Sequence, residues 1–107
     1  MTIKEELTAR RVGNGERRLA KLIEVQAPEV ILEGERNIIE DWKTGRVKVK
    51  GIKEYGDLEF TKHEVRTGGG GKQFIVYTTA QGELMAYQGN WGWFIKPFVP
   101  YTKSAAA

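Results

Sequence analysis

The chain contains no cysteine, so neither a disulfide framework nor a thiolate metal site can form. It has one histidine, His63, and one serine, Ser104, in a C-terminal Ser-Ala-Ala-Ala tail. Serine and cysteine nucleophile–base triads are thereby excluded on content alone. No apolar run is long enough for a membrane-spanning helix, and the opening residues MTIKEELTARR lack the apolar stretch of a secretory signal. With few candidates for chemistry, the expectation is a soluble, non-enzymatic binding protein without cofactor or metal, suited to a reducing cytoplasm. A single domain fits 107 residues. A chain of that size buries roughly 65% of its unfolded surface, enough for one core.

The net charge of +3 is small, but it is unevenly spread. Residues 28–44 are acidic, and the segments on either side are basic. Such asymmetry can orient a partner. Thr2-Ile3-Lys4-Glu5 reads as a capping box and starts a helix of about 3–11. Gly13-Asn14-Gly15 then predicts a break or kink, because each glycine costs about 1 kcal/mol in a helix interior. A second helix is expected at about 15–26 and a third at about 28–43. Ala27-Pro28 forms the turn between them, and Glu29 lies near the positive end of the third helix's dipole. Leu19, Leu22, Ile23, Ile31, Ile38 and Trp42 are the expected helical share of the core.

After Gly45 the side-chain period changes from 3.6 to 2. Arg46-Val47-Lys48-Val49-Lys50 alternates basic and apolar residues, the pattern of a half-buried strand. Four more strands are expected at about 57–66, 72–79, 83–88 and 92–98, joined by short glycine-bearing loops that favour an antiparallel meander. The fold class is therefore α+β: N-terminal helices including an antiparallel hairpin, then a five-stranded meander with the helices on one face. The expected domain spans 1–103, helical over 1–44 and sheet over 45–103, followed by the 104–107 tail. The strand 72–79 is apolar on both sides, with Phe74 and Val76 facing one way and Ile75 and Tyr77 the other. The helices can cover one side. The other meets more sheet, a second copy or a ligand, or closes on itself by curvature.

Gly68-Gly69-Gly70-Gly71-Lys72 fails as a phosphate-binding loop. The motif's first glycine falls at Arg66 and its hydroxyl residue at Gln73, and the loop joins two strands. His63 stands beside Glu64 without the ligand spacing of a zinc site. Glu40 and Asp41 are adjacent on a helix and so point apart. The basic and aromatic residues carry more. Arg46, Lys48 and Lys50 form a period-2 cationic stripe. Tyr77, Tyr87, Trp91, Trp93, Phe94, Phe98 and Tyr101 crowd the C-terminal half. Cations along a backbone and rings under bases are what single-strand binding needs, which makes Arg46, Lys48, Lys50, Trp91 and Trp93 the candidate nucleic-acid contacts. The competing reading makes the rings core and the lysines guards of an edge strand.

Residues 11–41 resemble the clamp-helix hairpin of the bacterial RNA polymerase β′ subunit. The likeness rests on Arg11-Val12, Asn14, Arg18-Leu19, Ala27-Pro28-Glu29-Val30-Ile31 and Glu35-Arg36, in register without gaps. Gly15 and Glu33 depart from the family, which places arginines there, and nothing after Trp42 matches. The resemblance implies a docking surface for σ factors and NusG-type elongation factors, with Arg18, Lys21 and Glu35 at the contacting positions. A small mimic of that hairpin implies a transcription regulator encoded by a phage or mobile element. The expected partners are nucleic acid or a protein of the transcription or defence machinery. A structural or assembly protein that self-associates through an exposed sheet face or edge is the remaining alternative.

Overall fold

The computed structural model describes residues 1–99. Tyr101, the end of the expected domain at 103 and the 104–107 tail lie outside the described residues. The fold is α+β: two long N-terminal helices packed on each other, then a five-stranded, mostly antiparallel sheet. The described residues form two compact units: a helical one, Lys4–Lys48, and a sheet unit made of Met1–Ile3 and residues 49–99. No helix among the described residues is long and apolar enough to cross a membrane.

The expected break at Gly13-Asn14-Gly15 does not occur. Helix α1 runs from Ile3–Glu24 as one element, and α2 covers Glu29–Thr44. The helices expected at 3–11 and 15–26 are therefore one. The reason is visible at Gly15, which is buried. A Cβ there would stand 2.7 Å from Ile39 Cγ1. The missing side chain lets the two helices approach closely, and that packing offsets the intrinsic cost of a helical glycine. Gln26, in the left-handed region at φ 56, closes the hairpin turn, where the Ala27 amide donates to the Leu22 carbonyl at 2.9 Å. Pro28 sits just before α2, at φ −58 and ψ 146. Gly45 ends α2 at φ 74, its amide directed at the Asp41 and Trp42 carbonyls, as left-handed helix caps do.

The buried stripe of α2 is Leu32, Glu35, Ile39 and Trp42, at the 3-4-3 spacing of a helix packed along its length. Of the expected core residues only Trp42 is buried. Ile23, Ile31 and Ile38 are exposed, while Leu19 and Leu22 are half-buried. The stripe is rotated by about one position from the expectation because it follows the contact between Gly15 and Ile39.

The sheet order is β1-β5-β4-β3-β2. Strands β2 (Phe60–Thr67), β3 (Gln73–Thr79), β4 (Gly82–Gly89) and β5 (Gly92–Pro97) form the antiparallel meander. The first strand differs from expectation. Only Val49–Lys50 is extended as β1, and it lies parallel to β5, with Val49 opposite Trp93 and Lys50 opposite Phe94. A short helix, α3 (Ile52–Tyr55), follows. Gly51 makes the junction at φ 91, where any Cβ would collide with the Ile95 carbonyl oxygen. That close approach lets β1 dock on β5. Residues Met1–Ile3 pair with the start of β2 through the Thr2–Glu59 bridge and an Ile3 amide bond to the Leu58 carbonyl at 3.0 Å. One sheet face carries Val49, Ile75, Tyr77, Leu84, Ala86 and Ile95, all buried. Tyr77 is wholly enclosed and packs against the Phe60 ring at 5.2 Å.

Candidate nucleic-acid interface

Side chains alternate along a strand, so the opposite sheet face is read directly from the register. Lys50 lies opposite Phe94, and Phe94 lies opposite Tyr87. Ile75 pairs with Ala86, which sets Phe74 beside Tyr87, and Phe74 pairs with Arg66. One row, Lys50–Phe94–Tyr87–Phe74–Arg66, therefore crosses all five strands, with a cation at each end and rings between. The Tyr87 and Phe94 rings stack at 5.3 Å with an 18° interplanar angle. Phe98 joins the group at 5.8 Å from Phe74. These four rings are half-buried, and beneath them Val76 is buried.

Cations stand over three of the rings. Lys50 Nζ is 5.8 Å from the Phe94 centroid, Lys96 Nζ is 5.4 Å from Tyr87, and the Arg66 guanidinium carbon is 5.3 Å from Phe98. Each such contact is worth about 0.5–1 kcal/mol when exposed, little enough to be exchanged for a phosphate. Lys62 lies on the same face by register. Its acids are Glu64, 3.3 Å from Arg66, and Glu83. Cations thus outnumber acids on this face.

Both turn loops at one end of the sheet border the row. A Cβ on Gly89 would stand 2.6 Å from Phe94 Cε2, and one on Gly68 would lie 3.4 Å from Phe74 Cε1. The Phe94 ring thus lies on the backbone next to the Asn90-Trp91 tip, and Phe74 lies beside the four-glycine loop. Trp91 at that tip is 93% exposed.

Of the residues expected to bind nucleic acid, Lys50 belongs to the row and Trp91 stands at the same end of the sheet. Trp93 is on the other face, since it neighbours Phe94 along β5. Arg46 and Lys48 are not in a strand but in the turn after α2, within the helical unit. Arg46 there pairs with Asp41 at 2.9 Å. The expected stripe fails because Asp41 and the α2 cap hold Arg46 and Val47, whose amides donate to the Asp41 carbonyl. Tyr87, Phe94 and Phe98 belong to the aromatic crowd noted in the sequence but not to the expected contacts, and Phe74, Arg66 and Lys96 are new to the site. The signal was present in part: a two-residue loop between Gly89 and Gly92 fixes hairpin register and so sets Tyr87 opposite Phe94.

The residues singled out on the hairpin have separate fates. Arg18 is 54% exposed at its side chain and donates to Glu35 Oε1 at 3.1 Å, whereas Glu35 is buried. Lys21 is exposed on α1. Arg11 lies over Trp42, 5.9 Å from the ring centroid. Burial, and then the charge of Arg18, hold the Arg11 guanidinium below its ordinary pKa, against an opposing pull from Glu35. His63 is exposed and meets the Phe60 ring edge-on at 5.5 Å. No cluster of three or more metal-ligating side chains occurs among the described residues. No protein-family model, curated protein or solved structure matches this chain.

Proposed function

We propose that this protein is a non-enzymatic regulatory binding protein that takes single-stranded nucleic acid on the ring-bearing face of its sheet. The observation that carries this reading is the row Lys50–Phe94–Tyr87–Phe74–Arg66, rings between cations across the full width of the sheet. Bases stack on the rings in place of the cations that now overlie them, each contributing about 1–3 kcal/mol. Lys50, Lys96 and Arg66 leave the rings and turn to phosphates. A duplex cannot use the rings, because its bases are already stacked.

The test is fluorescence anisotropy of a labelled single-stranded oligonucleotide in a salt series. Three cations at phosphates predict a slope of log affinity against log salt of about −2. Phe94→Leu should weaken binding about tenfold or more and leave that slope unchanged. Lys50→Ala should make the slope shallower by about 0.7. Absence of single-strand binding at low salt sinks the reading, and so does indifference to Phe94→Leu.

A second reading is favoured by a different observation. Val25, Val30 and Ile31, at the tip of the helical hairpin, are 64%, 76% and 49% exposed. Exposed apolar side chains clustered at one point suit a protein contact. With the likeness of residues 11–41 to the polymerase clamp helices, and α1 continuous through Gly13 and Gly15, they support a mimic that captures a σ factor or elongation factor. Arg18 and Lys21 are then the outward contacts, while Glu35 orients Arg18. Purified σ and NusG-type factors should be retained by the immobilised chain and lost on Arg18→Ala combined with Lys21→Ala. Retention unaffected by that double change refutes the assignment.

A further inference from the structure

The strand β2 is the outer strand of the sheet. Residues Met1–Ile3 cover its start, reaching residues 58–60. From Thr61 to Thr67 no further strand lies beside it among the described residues. An open edge of this length is a template for another strand. Native edges are commonly guarded by charge, and here Lys62, Glu64 and Arg66 fill one side. Whether such charges repel or attract an identical strand depends on register.

An identical strand pairs antiparallel about a two-fold axis, and each choice of central residue has different consequences. Centring on Glu64 sets it against its own copy and Lys62 against Arg66, so every charged pair repels. Centring on His63 sets Lys62 against Glu64 twice, but Met1–Ile3 already covers Glu59 and Phe60 and so limits that pairing to residues 61–65, and it leaves the exposed Val65 away from the axis. Centring on Val65 uses only the open stretch. It sets Val65 against Val65, Glu64 against Arg66 twice, and His63 against Thr67 twice. Val65 is 43% exposed, an apolar side chain with no role at a solvated edge. Glu64 and Arg66 already reach each other at 3.3 Å within one strand, so both heads lie where a cross-strand pair needs them.

We infer that a second copy of this chain is the partner of the β2 edge, paired antiparallel about Val65. The inference stands on the edge alone and does not depend on nucleic-acid binding. A two-fold axis of this kind is normal to the sheet, so both ring faces point the same way. The two five-stranded sheets become one, with the Arg66 ends of their rows meeting at the seam.

Sedimentation across a concentration series up to millimolar tests this on the full chain. The mean mass should rise toward twice the 12.1 kDa of the chain. Glu64→Arg and Arg66→Glu should each hold it at the single-chain value, because each places like charges in both pairs. The combined change, Glu64→Arg with Arg66→Glu, should restore the doubled mass, since only this register pairs those two positions. Val65→Lys, which puts two ammonium groups at the axis, should also abolish it, and circular dichroism checks that each variant stays folded. A single-chain mass for the unaltered protein at millimolar concentration overturns the inference. So does a doubled mass that ignores the single charge changes, or a combined change that stays single.

Discussion

Three helical glycines look alike in sequence and differ in what surrounds them. A Cβ on Gly34 would meet nothing within 4 Å, and one on Gly13 would meet only the Arg17 guanidinium, 3.5 Å away at the end of a flexible side chain. One on Gly15 would strike Ile39 at 2.7 Å. Gly13→Ala and Gly34→Ala should therefore each raise stability by up to about 1 kcal/mol, the helix-propensity gain. Gly15→Ala should lower it by about 1–2 kcal/mol, overpacking outweighing that gain. Urea unfolding of the three variants measures both signs, and a gain at Gly15 would mean the helices do not meet there. The break expected at Gly13-Asn14-Gly15 rests on local helix propensity alone. It failed because the decisive contact is with a residue on the next helix, which no local window contains.

The helical hairpin is a packed element with an acid at its centre. Glu35 lies in the buried stripe of α2 between Leu32 and Ile39 and accepts a hydrogen bond from Arg18. Arg11 and Arg18 oppose each other's charge, and Glu35 offsets it. Glu35→Gln should destabilise the chain by about 1–3 kcal/mol in thermal or urea unfolding, because two neighbouring arginines lose their counter-charge. Adding Arg11→Met in that background should recover part of the loss, since a neutral side chain of similar length keeps the contact with Trp42. A neutral result for Glu35→Gln would show that the pair does not hold the hairpin. Burial lowers the pKa of Arg11 from a value far above neutrality, so the stability cost of its charge is constant through the neutral range and eases only in strong alkali. The sheet elements were more legible than the hairpin's interior. Their glycine-bearing loops mark the strand ends within a few residues, and the loop at Asn90-Trp91 sets the pairing beneath the stacked rings.

At the scale of the whole molecule, the proposed surfaces belong to different compact units. The ring row and the open β2 edge are in the sheet unit, and the apolar hairpin tip is in the helical unit. A net charge of +3 gave little guidance to either. The register gathers Lys50, Lys96 and Arg66 on one sheet face, and Arg46 and Lys48 lie outside the strands although they adjoin Lys50 in sequence. By itself the sequence determined the change from helix to sheet near Gly45, the places of the turns and the absence of a serine or cysteine triad. Each of these follows from local spacing or from content. Only the tertiary structure decided that α1 is unbroken, that Glu35 is buried, that β1 runs parallel to β5, and which side of each strand bears the rings. Those outcomes join residues as far apart as Val49 and Trp93. They are fixed by burial and hydrogen bonding summed over the fold, and no short stretch of chain carries that sum.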